Sequence, residues 1–243
     1  MDTSKINQKE IDYNLNEGTL LLNLVNKQVS YYYPVSSIGM STFQINLSLI
    51  YNSKYLLTDF NNIKIGIGNG WKFNIEEYVF EYKSIYNIEG FNTSDYVYID
   101  SGWKTHRFVR YRTPDEFDND GYLYYDESGT GLKLIVKENS NYEIIDQAKN
   151  KLIFDKDSKR LIQVISGVNE NIIKKIKYDN NDLLREIYDE RKQTRKIIIN
   201  YNEDDLPVKV ITTDSNTRKV IEYENKMIKQ ISKENDVTKT VLQ

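Results

Sequence analysis

The acidic residues between Glu116 and Glu127 are the part of the sequence that best matches a metal-binding pattern. Positions 1, 3, 5, 6 and 12 of a calcium loop are matched by Glu116, Asp118, Asp120, Gly121 and Glu127. Calcium prefers a ring of carboxylate and carbonyl oxygens at these offsets. The first ligand is Glu instead of Asp, however, and the flanking residues alternate as strands do. We therefore predict an acidic hairpin turn and assign no metal ligand, with a calcium site as the alternative.

His106 is the single histidine of the chain and the natural candidate for acid–base chemistry. A catalytic imidazole needs a nucleophile or a carboxylate as its partner. The sequence identifies neither, because His106 lies between Thr105 and Arg107 on the second strand of a predicted hairpin. The paired carboxylates of a glycosidase are equally unassignable, since the Asp and Glu residues lie mostly in turns. We expect an ordinary strand position, no catalytic residue and no cofactor.

The glycines from Gly66 to Gly70 resemble a phosphate-binding loop but lack its context. A dinucleotide fingerprint requires a helix directly after the glycines. Here Trp71, Phe73 and Ile75 alternate as a strand, so the glycines are predicted to permit a bend or bulge. After Ile75 the alternating apolar residues move from odd to even positions, at Tyr78, Phe80 and Tyr82. A bulge near Glu76 and Glu77 would explain this change.

The tyrosines offer a second kind of chemistry, the stacking of sugars on aromatic rings. Tyr31, Tyr32 and Tyr33 follow one another, and further tyrosines lie on the predicted strands. Aromatic faces packed in a β core are the commoner use of such residues, and we favour that interpretation. Cell-surface glycans remain the alternative partner.

The composition favours strands and excludes cysteine chemistry. The 243 residues include 20 Tyr and no Cys. Tyr and β-branched residues fit a pleated, half-buried surface, and without Cys there are no disulfides or thiolate metal sites. No apolar run approaches the ~18 residues of a membrane helix, and the start of the chain lacks the apolar core of a signal peptide. The net charge is −3 without a concentrated basic face, so we expect neither membrane insertion nor a nucleic-acid partner.

The first 149 residues contain a polar segment and then a series of short strands. Residues 1–17 show no period and are predicted to form a mobile or loosely docked arm. Residues 18–149 are a β-rich lead-in region, with its clearest period-two alternation from Thr42 to Tyr51. Turns are predicted at residues 100–102, 118–121 and 127–131. The spacing is typical of a sandwich or an open antiparallel sheet.

Residues 150–243 contain four degenerate repeats. Each has an apolar residue, a variable one and an aromatic, followed by a polar cluster and a second apolar segment. The aromatics are Phe154, Tyr178, Tyr201 and Tyr223. A period of this size indicates a repeat architecture, in which each hairpin needs its neighbours to bury its apolar face. We predict strand, turn, strand in every unit, with the aromatics on one inner face. A helix over residues 182–196 is the alternative.

The repeats resemble the tyrosine–aspartate repeats of the Rhs/YD-repeat family, which includes teneurins and bacterial polymorphic toxins. Ile187-Tyr188-Asp189 shows the aspartate of the pattern. The upstream segments that match the usual lead-in are residues 18–20, 45–53, 68–74 and 98–102. The sequence departs from the family in three ways: the glycine usual in the repeat turns is replaced by Asn, Lys or Asp, only four units are present, and there is no Asp-Pro self-cleavage signature.

The resemblance implies an all-β scaffold of antiparallel hairpins without an active site. In relatives of this family such sheets house a toxic domain or form an adhesion scaffold at the cell surface. We therefore expect a non-enzymatic fragment or short relative of a secreted or surface-exposed bacterial protein of the Rhs type, which houses or presents another domain. Its partner would be the rest of a larger Rhs-type protein or its toxin domain. A carbohydrate-binding or adhesive module is the alternative. The outer edge of the last hairpin is predicted to be uncovered and open to self-association.

Overall fold

The fold is given by a computed structural model that describes most of the chain. The described residues are 10–15, 18–23, 28–40, 43–55, 66–67, 70–83, 94–110, 122–137, 139–213, 217–224, 227–234 and 239–242. They divide into two compact units. Unit 1 contains residues 1–75 and 195–243, and unit 2 contains residues 76–194. These units cut across the three segments defined by sequence pattern, because the repeats contribute to both.

Strands dominate the described residues, as the sequence predicts. The first five are β1 (Glu10–Leu15), β2 (Gly18–Asn23), β3 (Gln28–Met40), β4 (Phe43–Asn52) and β5 (Trp71–Phe73), with a short 3-10 helix at Ser53–Tyr55. The next ten are β6 (Tyr78–Lys83), β7 (Ser94–Ile99), β8 (Thr105–Arg110), β9 (Tyr122–Asp126), β10 (Lys133–Val136), β11 (Tyr142–Ile145), β12 (Lys151–Phe154), β13 (Leu161–Ile165), β14 (Ile173–Tyr178) and β15 (Leu184–Asp189). The last five are β16 (Lys192–Tyr201), β17 (Pro207–Thr212), β18 (Thr217–Glu224), β19 (Met227–Glu234) and β20 (Lys239–Leu242).

Consecutive strands pair antiparallel, so the topology is a meander. Strands β1 to β5 form one open sheet in chain order. Strands β6 to β15 pair in chain order within unit 2, and β16 to β20 do so at the C-terminal end. The predicted all-β, antiparallel, open-sheet class is therefore confirmed. The alternative helix over residues 182–196 is absent, since these residues belong largely to β15 and β16.

The alternation predicted on β4 sets the core of unit 1. Ile45, Leu47 and Leu49 are buried, whereas Gln44 and Asn46 on the other face are exposed. Within the same unit, side chains of β3 meet those of the C-terminal strands: the hydroxyls of Ser36 and Thr212 are hydrogen-bonded, and Lys219 Nζ donates to the carbonyl of Pro34 at 3.3 Å. Unit 1 is thus held together by residues from both ends of the sequence.

Three sequence expectations about strand position are wrong. Residues 10–15 of the predicted arm form β1, which is paired along its length with β2; backbone pairing requires no apolar period. The change in the apolar alternation after Ile75 is not caused by a bulge, because β5 belongs to the first sheet and β6 begins the next one. The outer edge of the fourth hairpin is covered, since β20 pairs with β19.

The four predicted repeats are structurally equivalent hairpins. In each of them the strand register shifts by one residue immediately before the anchor aromatic, that is, before Phe154, Tyr178, Tyr201 and Tyr223. The extra residue lies on the returning strand each time, and a β-bulge at a fixed place bends the strand that contains it. Phe154 is fully buried, while Tyr178 and Tyr201 are half-buried. The four hairpins therefore repeat in backbone geometry as well as in sequence.

The turns after Tyr178 and Tyr201 share a second feature, an Asp or Asn side chain that accepts two backbone N–H groups. Asn202 Oδ1 accepts hydrogen bonds from the backbone N–H groups of Asp204 and Leu206, at 3.1 and 2.9 Å. Asp179 does the same for Asn181 and Leu183. An Asx side chain of this kind satisfies turn amides that the strand ladder leaves over. Asp100 and Asp146 begin two further turns of this type in the lead-in region.

In each of these four turns, the third residue after the Asp or Asn has a left-handed backbone conformation. The φ angles are +67° at Trp103, +61° at Lys149, +61° at Asp182 and +61° at Asp205. A left-handed conformation favours glycine. These four turns therefore place other residues in a backbone conformation that glycine adopts at lower cost.

Replacement of Lys149 by glycine is expected to stabilise the protein by about 0.5 to 1 kcal/mol, because it removes the cost of a left-handed side-chain-bearing residue. Lys149 is exposed, so little contact is lost. The matched control is Ala148→Gly in the same exposed turn, where φ is not positive and glycine only adds freedom to the unfolded chain. Urea unfolding of both variants measures the difference; a loss of stability in both would contradict the turn geometry.

Candidate functional site

The strongest polar cluster of unit 2 is centred on His106. Its side chain lies on β8 and is only 4% exposed. Nε2 is 3.2 Å from Oδ2 of Asp100, and Nδ1 is 3.3 Å from Oδ2 of Asp126. The imidazole is therefore held between two carboxylates, one on each ring nitrogen. We call Asp100, His106 and Asp126 the histidine cluster.

Local structure explains how the two carboxylates reach the ring. Asp100 begins the β7–β8 turn, and its Oδ1 accepts the N–H groups of Gly102 and Lys104, both at 2.8 Å. Asp126 ends β9, and it accepts the hydroxyls of Ser128 and Thr130. Asp100 uses Oδ1 for its turn and Oδ2 for the histidine, whereas Oδ2 of Asp126 accepts the hydroxyls of Ser128 and Thr130 and also faces the histidine.

Tyr98 completes the cluster from the neighbouring strand. It pairs with His106 across β7 and β8, and the two rings are stacked at 5.3 Å with an interplanar angle of 27°. The Tyr98 hydroxyl donates to Oε2 of Glu77, which is itself buried. Burial, followed by the charge of Glu77, raises the pKa of Tyr98. The phenol therefore stays protonated and serves as a donor.

The charges of the cluster follow from burial opposed by hydrogen bonds. Burial alone lowers the pKa of His106, but the bonds to Asp100 and Asp126 outweigh it and raise that pKa above its ordinary value. Burial alone raises the pKa of each aspartate, and the donors around them reverse the sign, so both pKa values are lowered. The stable form is an imidazolium between two carboxylates.

This arrangement binds a proton and ties two turns together. The hydroxyls nearest to it, on Ser128 and Thr130, donate to Asp126 instead of to the imidazole. A nucleophile is activated when its own proton is bonded to a base. Ser128 and Thr130 therefore lack the hydrogen bond to His106 that would activate them as nucleophiles.

A second buried cation lies where β6 meets the β12–β13 turn. Arg160 is 3% exposed, and its Nη1 donates to the hydroxyl of Tyr78 at 3.1 Å. The guanidinium carbon is 5.1 Å from the Tyr78 ring centroid and 5.3 Å from that of Tyr178. Backbone bonds flank it: Val79 N–H donates to Lys159, and Leu161 N–H donates to Glu77. We call this group the arginine clamp.

The turns of unit 2 are also bonded to one another. Along one side of the sheet, Gln147 Nε2 donates to the carbonyl of Thr130 at 2.8 Å, and Gly167 N–H donates to Asn150 Oδ1 at 2.9 Å. Along the other side, Lys159 Nζ donates to the hydroxyl of Tyr142 at 3.0 Å, and Tyr178 donates to the carbonyl of Leu161 at 3.1 Å. These bonds join successive turns, or a turn or strand end to the neighbouring strand end, along each side of the described sheet.

The interior of unit 2 is filled by aromatic rings from strands that are distant in the sheet order. Tyr98 on β7 contacts Phe154 on β12 with centroids 5.7 Å apart, and Tyr96 on β7 contacts Tyr142 on β11 at 5.6 Å. In a flat sheet, strands five places apart are separated by about 24 Å. The sheet is therefore strongly curled, so that its inner face packs against itself.

The predicted sites have different outcomes. Of the possible calcium loop, residues 116, 118, 120 and 121 lie outside the described residues; Glu127 is exposed, with Arg107 Nη1 at 3.5 Å. The glycine segment behaves as predicted where it is described, because Gly66 and Gly70 have φ of +60° and +79° and Trp71 begins β5. His106 occupies the predicted strand position, but its two carboxylate partners were missed.

The aromatic residues of unit 1 form a row across its sheet. Leu20, Tyr31, Tyr51 and Trp71 face one another in register on β2 to β5, and all four are half-buried. Trp71 lies 5.2 Å from Tyr51 and 6.3 Å from Tyr31, with interplanar angles of 46° and 84°. The rings pack edge to face and do not form one flat surface.

Within the part of the chain that the structure describes, no group of three or more His, Asp or Glu side chains has an arrangement that would hold a metal ion. The described residues also contain no helix with the length and apolar character of a membrane span. Comparison of the chain with protein-family models and with curated proteins gave no match.

Proposed function

We propose that the chain is a non-enzymatic β-scaffold of the Rhs/YD-repeat type, which belongs to a secreted or surface-exposed bacterial protein and presents another domain of it. The observation that carries the proposal is the equivalence of the four hairpins. All four place their aromatic residue directly after a shift in register. A repeated backbone irregularity at a repeated residue type is expected of a tandem array.

The bonds between turns support the same proposal. In a repeat protein each unit is stabilised mainly by its nearest neighbours. Unit 2 shows this coupling along both sides of its sheet, through Gln147, Asn150, Lys159 and Tyr178. Such coupling allows hairpins to be added without a new core, which suits a scaffold that varies in length.

The packed interior limits the form that the scaffold role takes. Rings such as Tyr98 and Phe154 are in contact across unit 2, so the space inside this curl is occupied by side chains. We propose that the chain forms part of a wall or a support, and that the domain it presents, a toxin domain in the family that the repeats resemble, lies outside the curl of unit 2.

A carbohydrate-binding or adhesive module is the second proposal. The half-buried row that ends at Trp71 favours it, because partly exposed aromatic rings can stack on sugars. The interplanar angle of 84° between Tyr31 and Trp71 means that a sugar would stack on one ring at a time. A glycan array with the wild-type chain and a Trp71→Ala control distinguishes the two roles: specific binding lost in the variant supports the module.

The scaffold proposal is tested by reading the gene on both sides of the segment that encodes these residues. We expect further hairpin repeats with an aromatic followed by Asp or Asn at the same spacing, and a terminal domain of different composition. Flanking sequence without any such repeats would contradict the proposal. Binding on the glycan array in the presence of flanking repeats would show an adhesive scaffold.

A further inference from the structure

The histidine cluster joins two turns that the strand ladder alone does not join. Asp100 belongs to the turn between β7 and β8, and Asp126 belongs to the turn between β9 and β10. His106 contacts both carboxylates through opposite ring nitrogens. Only a doubly protonated imidazole can donate to two acceptors at once. The geometry on both sides of the ring therefore requires the charged form.

We propose that His106 is a pH-sensitive fastener of this side of unit 2: when protonated it ties the Asp100 turn to the Asp126 turn, and its deprotonation releases the Asp100 turn. The neutral ring has one N–H and one lone pair. A lone pair 3.2 or 3.3 Å from a carboxylate oxygen is repelled, so one of the two contacts is lost.

The surroundings decide which contact breaks. The Asp126 side chain is 0% exposed and the Asp100 side chain 24% exposed. Asp126 keeps the hydroxyl donors of Ser128 and Thr130 in either case, but its buried side chain cannot replace the histidine by water, whereas that of Asp100 can. The remaining N–H therefore stays with Asp126, and Asp100 moves toward solvent.

Titratable groups face the ring from several elements of unit 2. On β7, Tyr98 stacks on it and is bonded to Glu77, which precedes β6. Asp100 faces it from the β7–β8 turn and Asp126 from the end of β9. Asp146, on the β11–β12 turn, acts electrostatically on Tyr98. Of these groups, Asp100 and Asp126 raise the pKa of His106 and outweigh the burial that lowers it.

The direction of the pH effect follows from the raised pKa of His106. The ordinary value is 6.5, and the folded protein holds the proton to higher pH. The stability contributed by the cluster is therefore fully present below about pH 6.5 and is lost as the pH rises through the folded pKa. The two turns are therefore tied together at low pH, and the Asp100 turn is released at high pH.

The test is a pH titration of the whole chain by NMR, in which the one histidine is recognised without assignment. We expect a midpoint above 6.5. Through the same pH range, the amides of Gly102 and Lys104 should lose protection from hydrogen exchange by at least tenfold beyond the intrinsic rate. The matched control is the amide of Asn150, which is bonded to Asp146 Oδ1 at 2.9 Å in a similar turn without a histidine. It should keep its protection.

The variant Asp100→Asn separates the fastener from a merely structural turn. Asparagine keeps the Oδ1 acceptor of the turn, as Asn202 does naturally, but removes the charge that faces the ring. We expect the histidine midpoint to fall and the pH-dependent loss of protection to disappear. A midpoint at or below 6.5 in the wild type, or equal loss of protection at Gly102 and Asn150, would overturn the proposal.

Discussion

Replacement of Phe154 by alanine is expected to lower the free energy of unfolding by about 3 to 5 kcal/mol, the usual cost of removing a fully buried phenyl ring. Phe154 is 0% exposed. Its ring meets the edge of Tyr98 at 5.7 Å and an interplanar angle of 75°, an arrangement that adds to the energy of burial. The cavity would lie between β7 and β12, the strands that the curl brings together, so the sheet cannot close it by a small local shift. Urea unfolding measures the change.

The control for this prediction is the neighbouring residue. Ile153 lies on the same strand, one residue before the register shift, and is half-buried. We expect Ile153→Ala to cost clearly less, about 1 to 2 kcal/mol, because less apolar surface is buried there. If the two variants lost the same stability, the aromatic position of the repeat would not be the one that faces the core.

The repeat could be found from the sequence because its signals are local. An aromatic such as Tyr178, followed by Asp179 and a second apolar segment, specifies a strand, an Asx turn and a returning strand within about twelve residues. The period-two alternation of apolar residues likewise specified β4 as a strand with one buried face. The predicted hairpins at residues 96–111 and 122–136 also correspond to β7–β8 and β9–β10.

The histidine cluster and the arginine clamp could not be found from local sequence signals, because both depend on strand register and on the curling of the sheet. His106 and Asp126 are 20 residues apart, and Arg160 and Tyr78 are 82 apart. Which strands meet inside a curled sheet is set by the twist accumulated over many strands and by bulges. Asp100 lies in the turn of the same hairpin, six residues before His106, and this was a usable hint. The sequence contains many other acidic turns, however.

The wrong prediction for residues 10–15 has a different cause. β1 pairs with β2 from Glu10 with Asn23 to Leu15 with Gly18. A strand at the edge of a sheet is held by backbone hydrogen bonds, which polar and apolar residues form equally well. The polar composition of this segment therefore carried no information about its secondary structure.

Replacement of Arg160 by methionine is expected to destabilise the protein by about 3 kcal/mol or more, the range for breaking a buried charged interaction. Methionine fills much of the volume between Tyr78 and Tyr178 but removes the donor to the Tyr78 hydroxyl and the cation between the rings. Burial alone lowers the pKa of Arg160, and the charges of Tyr78 and Glu76 raise it overall. The guanidinium is thus a stabilised cation, and its loss leaves acidic surroundings without their counter-charge.

The matched control is Arg185→Met in the next hairpin. Arg185 Nε bonds to Asp179 at 2.6 Å, but its side chain is 40% exposed. Exposed ion pairs contribute about 1 kcal/mol or less. Equal losses in the two variants would mean that Arg160 behaves as an ordinary surface charge.

Hydrogen exchange locates the effect of Arg160. The amides of Val79 and Leu161 donate at 2.9 and 3.0 Å across the contact between β6 and the β12–β13 turn. If the arginine clamp holds that contact, Arg160→Met exposes these two amides through a local opening that leaves the amides of β16 and β17 protected. The clamp joins the first strand of unit 2 to its seventh, so its opening should uncurl the sheet before the hairpins themselves unfold. A uniform loss of protection throughout the chain would instead show that Arg160 contributes only to global stability.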